Sequence, residues 1–443
     1  MHVDPSRHSN KLAVIGTGYV GIASAIGFAE FGNYVVGYDI LSDRIRQLQR
    51  GLTPYHEAGL AESLAQHLHS GRISFTDDLS AAVEGAAFIL IAVGTPTTES
   101  GSADLSAVEH VISSLAKLDL GNAIVVVRST VPPGTCDLLA DRFDGNVEVI
   151  YSPEFLREGS AVSDFLNPDR VVIGGRSDSA MQRFADLLAP LMRPTLTMSA
   201  TNAELSKCMS NAFLAMKISF ANQVANLCDE MDGDALQVLN AVGGDRRIGR
   251  QFLHPGIGFG GPCFEKDVKS MIHLSRTLGV DCDLLDATLG LNDRQPGRIS
   301  LILEAELGRP VRGMSLGVWG LTFKGGTDDV RDSLAIRVIE DLAAHGAEIV
   351  GYDPAFKDPD HTLPCRLAHS ALEAADSDAL LVLTDWPQFR SIDMRTVGHK
   401  IRSGLVIDGR NVLDGDSVVA AGLRYRGIGR RRSSDAAELA EAG

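Results

Sequence analysis

No apolar run in this sequence is long enough to cross a membrane. None of the apolar stretches among its 443 residues reaches the roughly 18 residues that a spanning helix needs. The first ten residues, Met1 to Asn10, are polar and lack the apolar core of a signal peptide. We therefore expect no membrane partner and a cytoplasmic location.

Positive charge is also scarce. Lys and Arg total 41 against 57 Asp and Glu, which leaves a net charge of −16. A broad interface with nucleic-acid phosphates needs a basic surface, so nucleic acid is not expected as a partner. Because the overall charge is negative, any anionic ligand has to be bound by groups in its immediate surroundings.

Closely spaced cysteines are missing. The six cysteines form no CxxC and no close Cys/His spacing, so the sequence predicts neither a metal site nor a disulfide framework. Five of them are expected to be small core residues, and only Cys263 has neighbours that suggest chemistry. The six are Cys136, Cys208, Cys228, Cys263, Cys282 and Cys365.

What the chain does have is enough apolar residues for more than one core. Hydrophobic residues make up 44% and charged residues 22%, both near the averages for globular proteins. A chain of 443 residues exceeds one ordinary core, so two or three domains are expected.

Strand and helix patterns predict an α/β fold with two Rossmann-like doubly wound domains joined by a central long helix or helical domain. The first strands are Lys11 to Ile15 and Tyr34 to Tyr38, with a helix between them. Glu204 to Met231 has helical periodicity without Pro or Gly, and a second α/β block opens at Ser315. The predicted divisions are residues 1–200 for a nucleotide-binding domain, 201–305 for a helical dimerisation domain that includes the Cys263 loop, 306–428 for a second α/β nucleotide-type domain, and 429–443 as a mobile tail.

The first strand runs into a glycine-rich turn that indicates a dinucleotide site. Gly16 permits the tight turn, Gly18 lets a pyrophosphate approach the backbone, and Gly21 allows close helix–strand packing. Asp39, 21 residues after Gly18, ends the next strand and is expected to bind the ribose diol and to favour NAD over NADP. Arg44 complicates this preference, because a nearby arginine accommodates a 2′-phosphate. The alternative is a turn that binds no ligand.

Two further loops leave the carboxyl ends of predicted strands, where ligands bind in open α/β sheets. They contain Thr95, in Val93 to Pro96, and Thr130, in Arg128 to Gly134. Both loops are expected to border the cofactor. The two threonines are equally well explained as turn formers or helix caps.

A loop with four glycines and two prolines leads to Cys263. This cysteine is expected to start a helix, with Lys266 beside it and Asp267 one turn further on the same face. A helix N-terminus and a neighbouring lysine can depress the pKa of a thiol and allow it to act as a nucleophile. The alternative is a structural loop with a buried thiol.

The long predicted helix carries Lys207 and Asn211 on one face, with Glu204 one turn earlier. Charged residues on a helix are normally solvated, so these positions alone do not establish a site.

Seven motifs occur in order along nearly all of residues 10 to 415, and together they make the chain resemble the UDP-glucose/GDP-mannose dehydrogenase family. Chance agreement of all seven is implausible. The motifs are GTGYVG at Gly16, GTP at Gly94, RSTVPPGT at Arg128, SPEFLREGSA at Ser152, the Lys207/Asn211 helix, FGGPCFEKD at Phe259 and FKGGTDDVRDS at Phe323.

The resemblance implies a twofold NAD-dependent oxidation of the C6 alcohol of a UDP-hexose, with UDP-glucose as the expected substrate and UDP-glucuronate as the product. Asp267, Asn211 and Thr130 would hold a water, and Lys207 would stabilise the developing oxyanion. Cys263 would attack the aldehyde to form a thiohemiacetal, which is oxidised to a thioester. Glu154 or Asp267 would be the base for hydrolysis.

The resemblance also assigns residues to ligands. Glu158, Lys266 and Arg331 would join the turn residues at the cofactor, and Arg247 would cross a dimer interface to the neighbouring substrate. The predicted cofactor residues are Gly16, Gly18, Tyr19, Val20, Gly21, Asp39, Arg44, Thr95, Thr130, Glu158, Lys266 and Arg331. The predicted substrate residues are Glu154, Phe155, Leu156, Arg157, Lys207, Asn211, Arg247, Phe252, Phe259, Gly260, Lys324 and Arg410.

Two positions depart from the family pattern. Pro262 stands where serine is common, and Glu265 stands where proline or glutamine is more usual. An acidic side chain two residues from the nucleophile would tend to raise the thiol pKa, which puts the rate and the pH optimum in doubt. Activity is still expected, because Cys263, Lys266 and Asp267 are all present.

Three other functions are compatible with parts of the pattern. The same chemistry on GDP-mannose or a UDP-N-acetylhexosamine is the nearest. A β-hydroxyacid dehydrogenase shares the Lys-x-x-x-Asn helix but needs no cysteine, and a non-catalytic nucleotide-sugar sensor would keep only the fold. A homodimer through the long helix is expected. A helix that is apolar around most of its circumference needs a second surface to cover its apolar side chains.

Overall fold

The computed structural model describes residues 9–143, 145–357 and 363–432. The chain divides into two compact units. Unit 1 comprises residues 1–210 and 269–280, and unit 2 comprises residues 211–268 and 281–443. None of the helices within the described ranges is long and apolar enough to span a membrane.

Unit 1 is built on an eight-stranded sheet in the order β3-β2-β1-β4-β5-β6-β7-β8, parallel except for the β6–β7 pair. Its strands are β1 Lys11–Ile15, β2 Tyr34–Tyr38, β3 Ile73–Thr76, β4 Phe88–Ile91, β5 Ile124–Val127, β6 Glu148–Tyr151, β7 Val171–Gly175 and β8 Thr195–Met198. Its helices are α1 Tyr19–Glu30, α2 Ser42–Gln49, α3 Leu60–His69, α4 Leu79–Val83, α5 Ser106–Leu115, α6 Thr135–Ala140, α7 Ala161–Leu166 and α8 Asp178–Leu188, with 3₁₀ turns at Asp141–Phe143 and Ala189–Leu191.

Helices cover both faces of this sheet because its strands are apolar on both sides. Along β1, Leu12 and Val14 pack into one hydrophobic cluster, while Ala13 and Ile15 pack into another. Successive side chains of a strand point to opposite faces, so a continuous apolar run requires cover on each face. The βαβ connections supply that cover.

Unit 2 contains a helical part and a seven-stranded sheet in the order β11-β10-β9-β12-β13-β14-β15, in which only β14–β15 is antiparallel. The long helix α9 Ala200–Met231 and the helix α11 Phe264–Thr277 each have residues in both units. The other helices are α10 Ala235–Gly243, α12 Asp283–Arg294, α13 Arg298–Leu307, α14 Leu334–Ala344, α15 Ala371–Ala374, α16 Met394–Gly398 and α17 Gly415–Ala420, with a 3₁₀ turn at Pro387–Ser391. The strands are β9 Ser315–Trp319, β10 Glu348–Tyr352, β11 Arg366–Leu367, β12 Ala379–Val382, β13 Leu405–Asp408, β14 Arg424–Gly427 and β15 Arg430–Arg432.

The first six strands of both sheets follow the Rossmann order. In each, the chain makes three strands outward from the centre, crosses back, and makes three more on the other side. Ligands bind such sheets where the order reverses, outside the carboxyl ends of the strands. The predicted α/β fold with two doubly wound sheets and a long central helix is confirmed.

The end of the chain differs from the sequence prediction. The expected tail from residue 429 begins with β15, which pairs with β14, so Arg430–Arg432 are a strand and not a tail. Residues 433–443 lie outside the described residues. The division at residues 200 and 305 remains a prediction.

Candidate active site

The turn after β1 has the shape that a dinucleotide pyrophosphate needs. Gly16 has a φ of 95° and donates its N–H to the carbonyl of Tyr38 at 2.8 Å. A Cβ on Gly21 would lie 1.9 Å from the Gly16 oxygen, so only glycine lets α1 start this close to the strand. A Cβ on Gly18 would meet nothing within 4 Å, which leaves open space at the first turn of α1. The predicted roles of the three glycines fit this geometry.

Asp39 lies at the end of β2, where its carboxylate faces the turn. Its Oδ2 accepts from the Thr17 N–H at 2.9 Å and hydroxyl at 2.8 Å, and from Arg44 Nη1 at 3.2 Å. Burial raises the pKa of Asp39, but the hydrogen bonds from Thr17 and Leu41 and the charge of Arg44 outweigh it, so the pKa is lowered. Asp39 is therefore an ionised acceptor beside the turn, as NAD requires, and Arg44 is ion-paired to it.

Sequence reasoning missed a copy of this arrangement in unit 2. Gly320 follows β9 with a φ of 92° and donates to the Tyr352 carbonyl at 2.7 Å. Asp353 accepts from the N–H groups of Leu321 and Thr322, at 2.8 and 3.2 Å. It differs from Asp39 because the Trp386 indole also donates to it, at 3.1 Å. The signal was available, since residues 35–39 read VVGYD and residues 349–353 read IVGYD.

The loops after β4 and β5 are joined by a hydrogen bond. The Thr95 hydroxyl donates to the Thr130 carbonyl at 2.8 Å. Glu204 of α9, which is fully buried, accepts from the N–H groups of Gly134 and Cys136 at 2.5 and 2.7 Å, and so satisfies the first turn of α6. Burial raises the pKa of Glu204 against these hydrogen bonds. The β5–α6 loop that carries Thr130 is thus tied to the helix that carries Lys207.

Glu154 and Lys207 form a buried ion pair in unit 1. Lys207 Nζ lies 3.2 Å from Glu154 Oε1, and the two side chains are 5% and 10% exposed. The Leu156 N–H donates to the other carboxylate oxygen of Glu154 at 2.6 Å. Phe155 lies beside them, with Lys207 Nζ 5.3 Å and the Arg170 guanidinium 4.0 Å from its ring centroid. Four of the predicted substrate residues, Glu154, Phe155, Leu156 and Lys207, are therefore in one cluster.

Arg128, next to Ser129 and Thr130, is a second residue that sequence reasoning passed over. It is 5% exposed, and burial lowers its pKa to about 10, although the nearby charge of Glu154 opposes that shift. A cation so deeply buried is costly without an anionic neighbour. Its place at the head of the RSTVPPGT motif was the available signal.

In unit 2, Cys263 is the residue immediately before α11, and its carbonyl accepts the first helical hydrogen bond, from Asp267 N at 3.0 Å. The cysteine is exposed. Asp267 is 2% exposed and accepts from Asn211 Nδ2 at 2.6 Å and from Lys266 Nζ at 2.7 Å. Cys263, Lys266, Asp267 and Asn211 are thus assembled around the first turn of α11. The exposure of Cys263 does not fit the alternative of a buried thiol, and its role as the nucleophile remains a prediction.

Several other predicted ligand residues are held by their own neighbours. Arg157, Arg247 and Arg331 are paired with Asp164, Asp245 and Asp329 respectively. Lys324 Nζ lies 5.9 Å from the ring centroid of Phe323. Arg410 donates to the carbonyls of Gly258, Leu383 and Phe323. Their ligand roles remain predictions.

The remaining candidates lie in the turn, the Glu154 loop and the glycine loop. The ring centroids of Tyr19 and Tyr55 are 5.8 Å apart. The ring centroid of Phe264 lies 6.1 Å from that of Phe252 and 5.9 Å from that of Phe259. Val20 lies in α1, Glu158 follows β6, and Gly260 precedes Cys263.

Three family models match the chain in succession. The NAD binding domain of the UDP-glucose/GDP-mannose dehydrogenase family matches residues 10–192, its central domain matches residues 201–294, and its UDP binding domain matches residues 317–415. The chain belongs to this family. It is therefore an NAD-dependent nucleotide-sugar dehydrogenase with a UDP-sugar binding domain.

Individual relatives agree over the full length. The UDP-glucose 6-dehydrogenase TuaD of Bacillus subtilis is 39% identical over 95% of this chain and 93% of its own. The structure of a UDP-glucose dehydrogenase from Pyrobaculum islandicum has a TM-score of 0.88 at 37% identity and covers 97% of this chain and 100% of its own. The structure of a UDP-D-ManNAc dehydrogenase from Pyrococcus horikoshii has a TM-score of 0.83 at 30% identity and covers 95% of this chain and 99% of its own.

Proposed function

We propose that this chain is a UDP-glucose 6-dehydrogenase that oxidises the C6 alcohol of UDP-glucose to a carboxylate through a thioester on Cys263. The observation that carries the proposal is the exposed thiol immediately before α11, with Lys266 and Asp267 in the first turn of that helix and Asn211 of α9 hydrogen-bonded to Asp267. An enzyme that removed a single hydride would have no use for a thiol in this position.

The first oxidation removes a hydride from C6 and a proton from its hydroxyl. Bound NAD supplies the hydride acceptor in this step and in the later one. In the proposed mechanism, Lys207 stabilises the oxyanion that forms as the proton leaves. Thr130, Asn211 and Asp267 hold the water that takes the proton.

The second oxidation needs the thiol, because an aldehyde has no hydroxyl from which to lose hydride. The Cys263 sulfur adds to the aldehyde carbon, and the carbonyl oxygen takes the proton, which gives a thiohemiacetal. Loss of a hydride and a proton from this adduct leaves a thioester. Water then adds to the thioester carbonyl with Glu154 or Asp267 as the general base, and the carboxylate leaves as the thiol is restored.

The atoms balance for one alcohol, two NAD and one water, which give one carboxylate, two NADH and three protons. The covalent adduct also prevents the aldehyde from escaping between the two oxidations. Buried Lys207 suits the task because a fixed charge in a site of low polarity stabilises an oxyanion more strongly than it would in water.

UDP-glucose is the favoured substrate within the family. The proposal is supported by the 39% identity with the UDP-glucose enzyme of Bacillus subtilis, which exceeds the 30% identity with the Pyrococcus horikoshii enzyme named for UDP-D-ManNAc. The segment Arg247-Ile248-Gly249 and the form Phe-Gly-Gly-x-Cys-Phe are also more like the UDP-glucose branch.

A cytoplasmic location stays a prediction.

The experiment that tests this function counts NADH formed per nucleotide sugar consumed, with UDP-glucose, GDP-mannose and UDP-N-acetylmannosamine run in parallel. We expect two NADH per UDP-glucose and much slower turnover of the other two. One NADH would contradict the thioester route and favour a simple hydroxyacid-type dehydrogenase. Binding of sugar nucleotide without NADH would favour a sensor, and turnover of GDP-mannose alone would change the substrate but keep the mechanism.

We also propose a homodimer formed through α9. Large apolar side chains at intervals of about one or two turns are exposed along this helix, which is unusual for a surface that faces only water. They are Leu205, Met209, Phe213, Phe220, Leu227 and Met231. Light scattering coupled to size-exclusion chromatography is expected to give twice the chain mass, and Phe220→Glu should shift the protein towards the monomer. A wild-type monomer across the concentration range would contradict the proposal.

A further inference from the structure

The glycine loop that leads to Cys263 is held by side chains from distant parts of unit 2. Asn292 of α12 makes a pair of hydrogen bonds with the backbone of Phe259. Its Oδ1 accepts from the Phe259 N–H at 2.8 Å, and its Nδ2 donates to the Phe259 carbonyl at 2.9 Å. Asn292 is 2% exposed, so both groups of Phe259 would otherwise be buried without a partner.

A second clamp holds Gly256, three residues earlier. Its N–H donates to Asn222 Oδ1 at 2.7 Å, and its carbonyl accepts from Gln295 Nε2 at 3.0 Å. Gln295 is itself 2% exposed and accepts from Asn226 Nδ2 at 3.1 Å, so its amide has a fixed orientation. Arg410 holds one of the two residues between the clamps, with Nη1 2.7 Å from the Gly258 carbonyl. The loop is therefore fixed at three places within four residues.

The glycine loop is also closely packed against these side chains. Gly258 has a φ of 106°, and a Cβ there would lie 2.5 Å from Asn292 Oδ1. The clamp also reaches the helix that follows Cys263, since the Phe259 ring packs edge-on against that of Phe264, with centroids 5.9 Å apart. A shift of Phe259 would therefore move the first turn of α11 and the thiol before it.

We propose that Asn292 and Gln295 are positioning residues for the thiol, and that they set the place and reactivity of Cys263 by clamping the backbone of residues 256–259. Neither side chain is assigned a contact with substrate or cofactor. The Asn292 amide provides a donor and an acceptor on one planar group, and an apolar side chain provides neither. This inference rests on the proposed function for its consequence in turnover, but not for the effect on the thiol.

The test of the clamp measures the alkylation rate of Cys263 by iodoacetamide, followed by peptide mass spectrometry. Asn292→Leu removes both hydrogen bonds and keeps the number and branching of the side-chain heavy atoms. Thr288→Val is the matched control, because Thr288 is 4% exposed, lies one turn away on α12, and bonds only to its own helix through its hydroxyl. We expect alkylation to slow by at least about threefold in Asn292→Leu, because the thiolate depends on its place at the helix start, and to match wild type in Thr288→Val.

Turnover provides the second readout. Asn292→Leu is expected to lower kcat by about 10²-fold, the effect of a displacement of about 1 Å, while the KM for NAD changes by less than about twofold. Unchanged alkylation and kcat in a folded Asn292→Leu protein would overturn the proposal, even if its Tm fell. If that variant does not fold, Gln295→Met is judged by the same two measurements. A wild type that oxidises no nucleotide sugar would refute the proposed function, and the alkylation rates would still decide the clamp.

Discussion

Cys263→Ser is expected to lower complete turnover by on the order of 10³-fold or more and to reduce the yield to at most one NADH per UDP-glucose. The first oxidation does not use the thiol, so an initial NADH still forms. A serine hydroxyl is a poorer nucleophile than a thiolate at neutral pH, so addition to the aldehyde, and with it the second oxidation, becomes inefficient. The measurement is NADH absorbance in a single-turnover experiment, with a carbonyl-trapping reagent added to detect aldehyde.

A second cysteine provides the control. Cys282 also stands immediately before a helix, α12, and is half-buried. Cys282→Ser keeps a side chain suited to capping a helix, so the fold should be unaffected. We expect this variant to form two NADH per UDP-glucose at the wild-type rate. If Cys263→Ser also formed two NADH at that rate, Cys263 would not be the nucleophile.

Local patterns account for the parts of the molecule that the sequence predicted well. The GxGxxG turn, the apolar strands and the absence of Pro and Gly from α9 all act within a few residues, so the β1–α1–β2 unit and the long helix could be read directly. The loops of Thr95 and Thr130 were expected at the same edge of the sheet because both follow strand ends, but the hydrogen bond between them was not predicted.

The clamps on the glycine loop could not be predicted in this way. Asn292 lies 33 residues from Phe259 in the chain, and nothing in its own neighbourhood distinguishes it from an ordinary polar residue of α12. Arg128 heads the RSTVPPGT motif, but the motif does not show that this residue is buried, because its burial depends on the packing of distant parts of the chain. The antiparallel strands β7 and β15 also escaped notice, since their direction depends on contacts with distant strands and not on their own residues.

A buried charge cluster in unit 2 is expected to dominate the stability of that unit. Asp229 of α9 accepts from Arg426 Nη2 at 2.8 Å and from Arg298 Nη2 at 3.1 Å. The side chains of Asp229 and Arg426 are 3% and 6% exposed. Arg426 Nε also lies 3.7 Å from Glu306 Oε1. One carboxylate thus joins α9, α13 and β14.

Asp229→Asn is therefore expected to destabilise unit 2 by about 3–5 kcal/mol, because the amide keeps the volume but leaves two guanidinium groups facing a neutral partner. This corresponds to a fall in Tm of roughly 6–20 °C for a unit of this size. Asp293→Asn is the control, since it removes an exposed partner of Arg337 and should cost less than about 1 kcal/mol. Scanning calorimetry measures the Tm of the wild type and of both variants. Equal small shifts would mean that the cluster is hydrated in solution and that its arginines do not depend on Asp229. A large shift for Asp229→Asn alone would establish this carboxylate as the tie between the long helix and the second sheet.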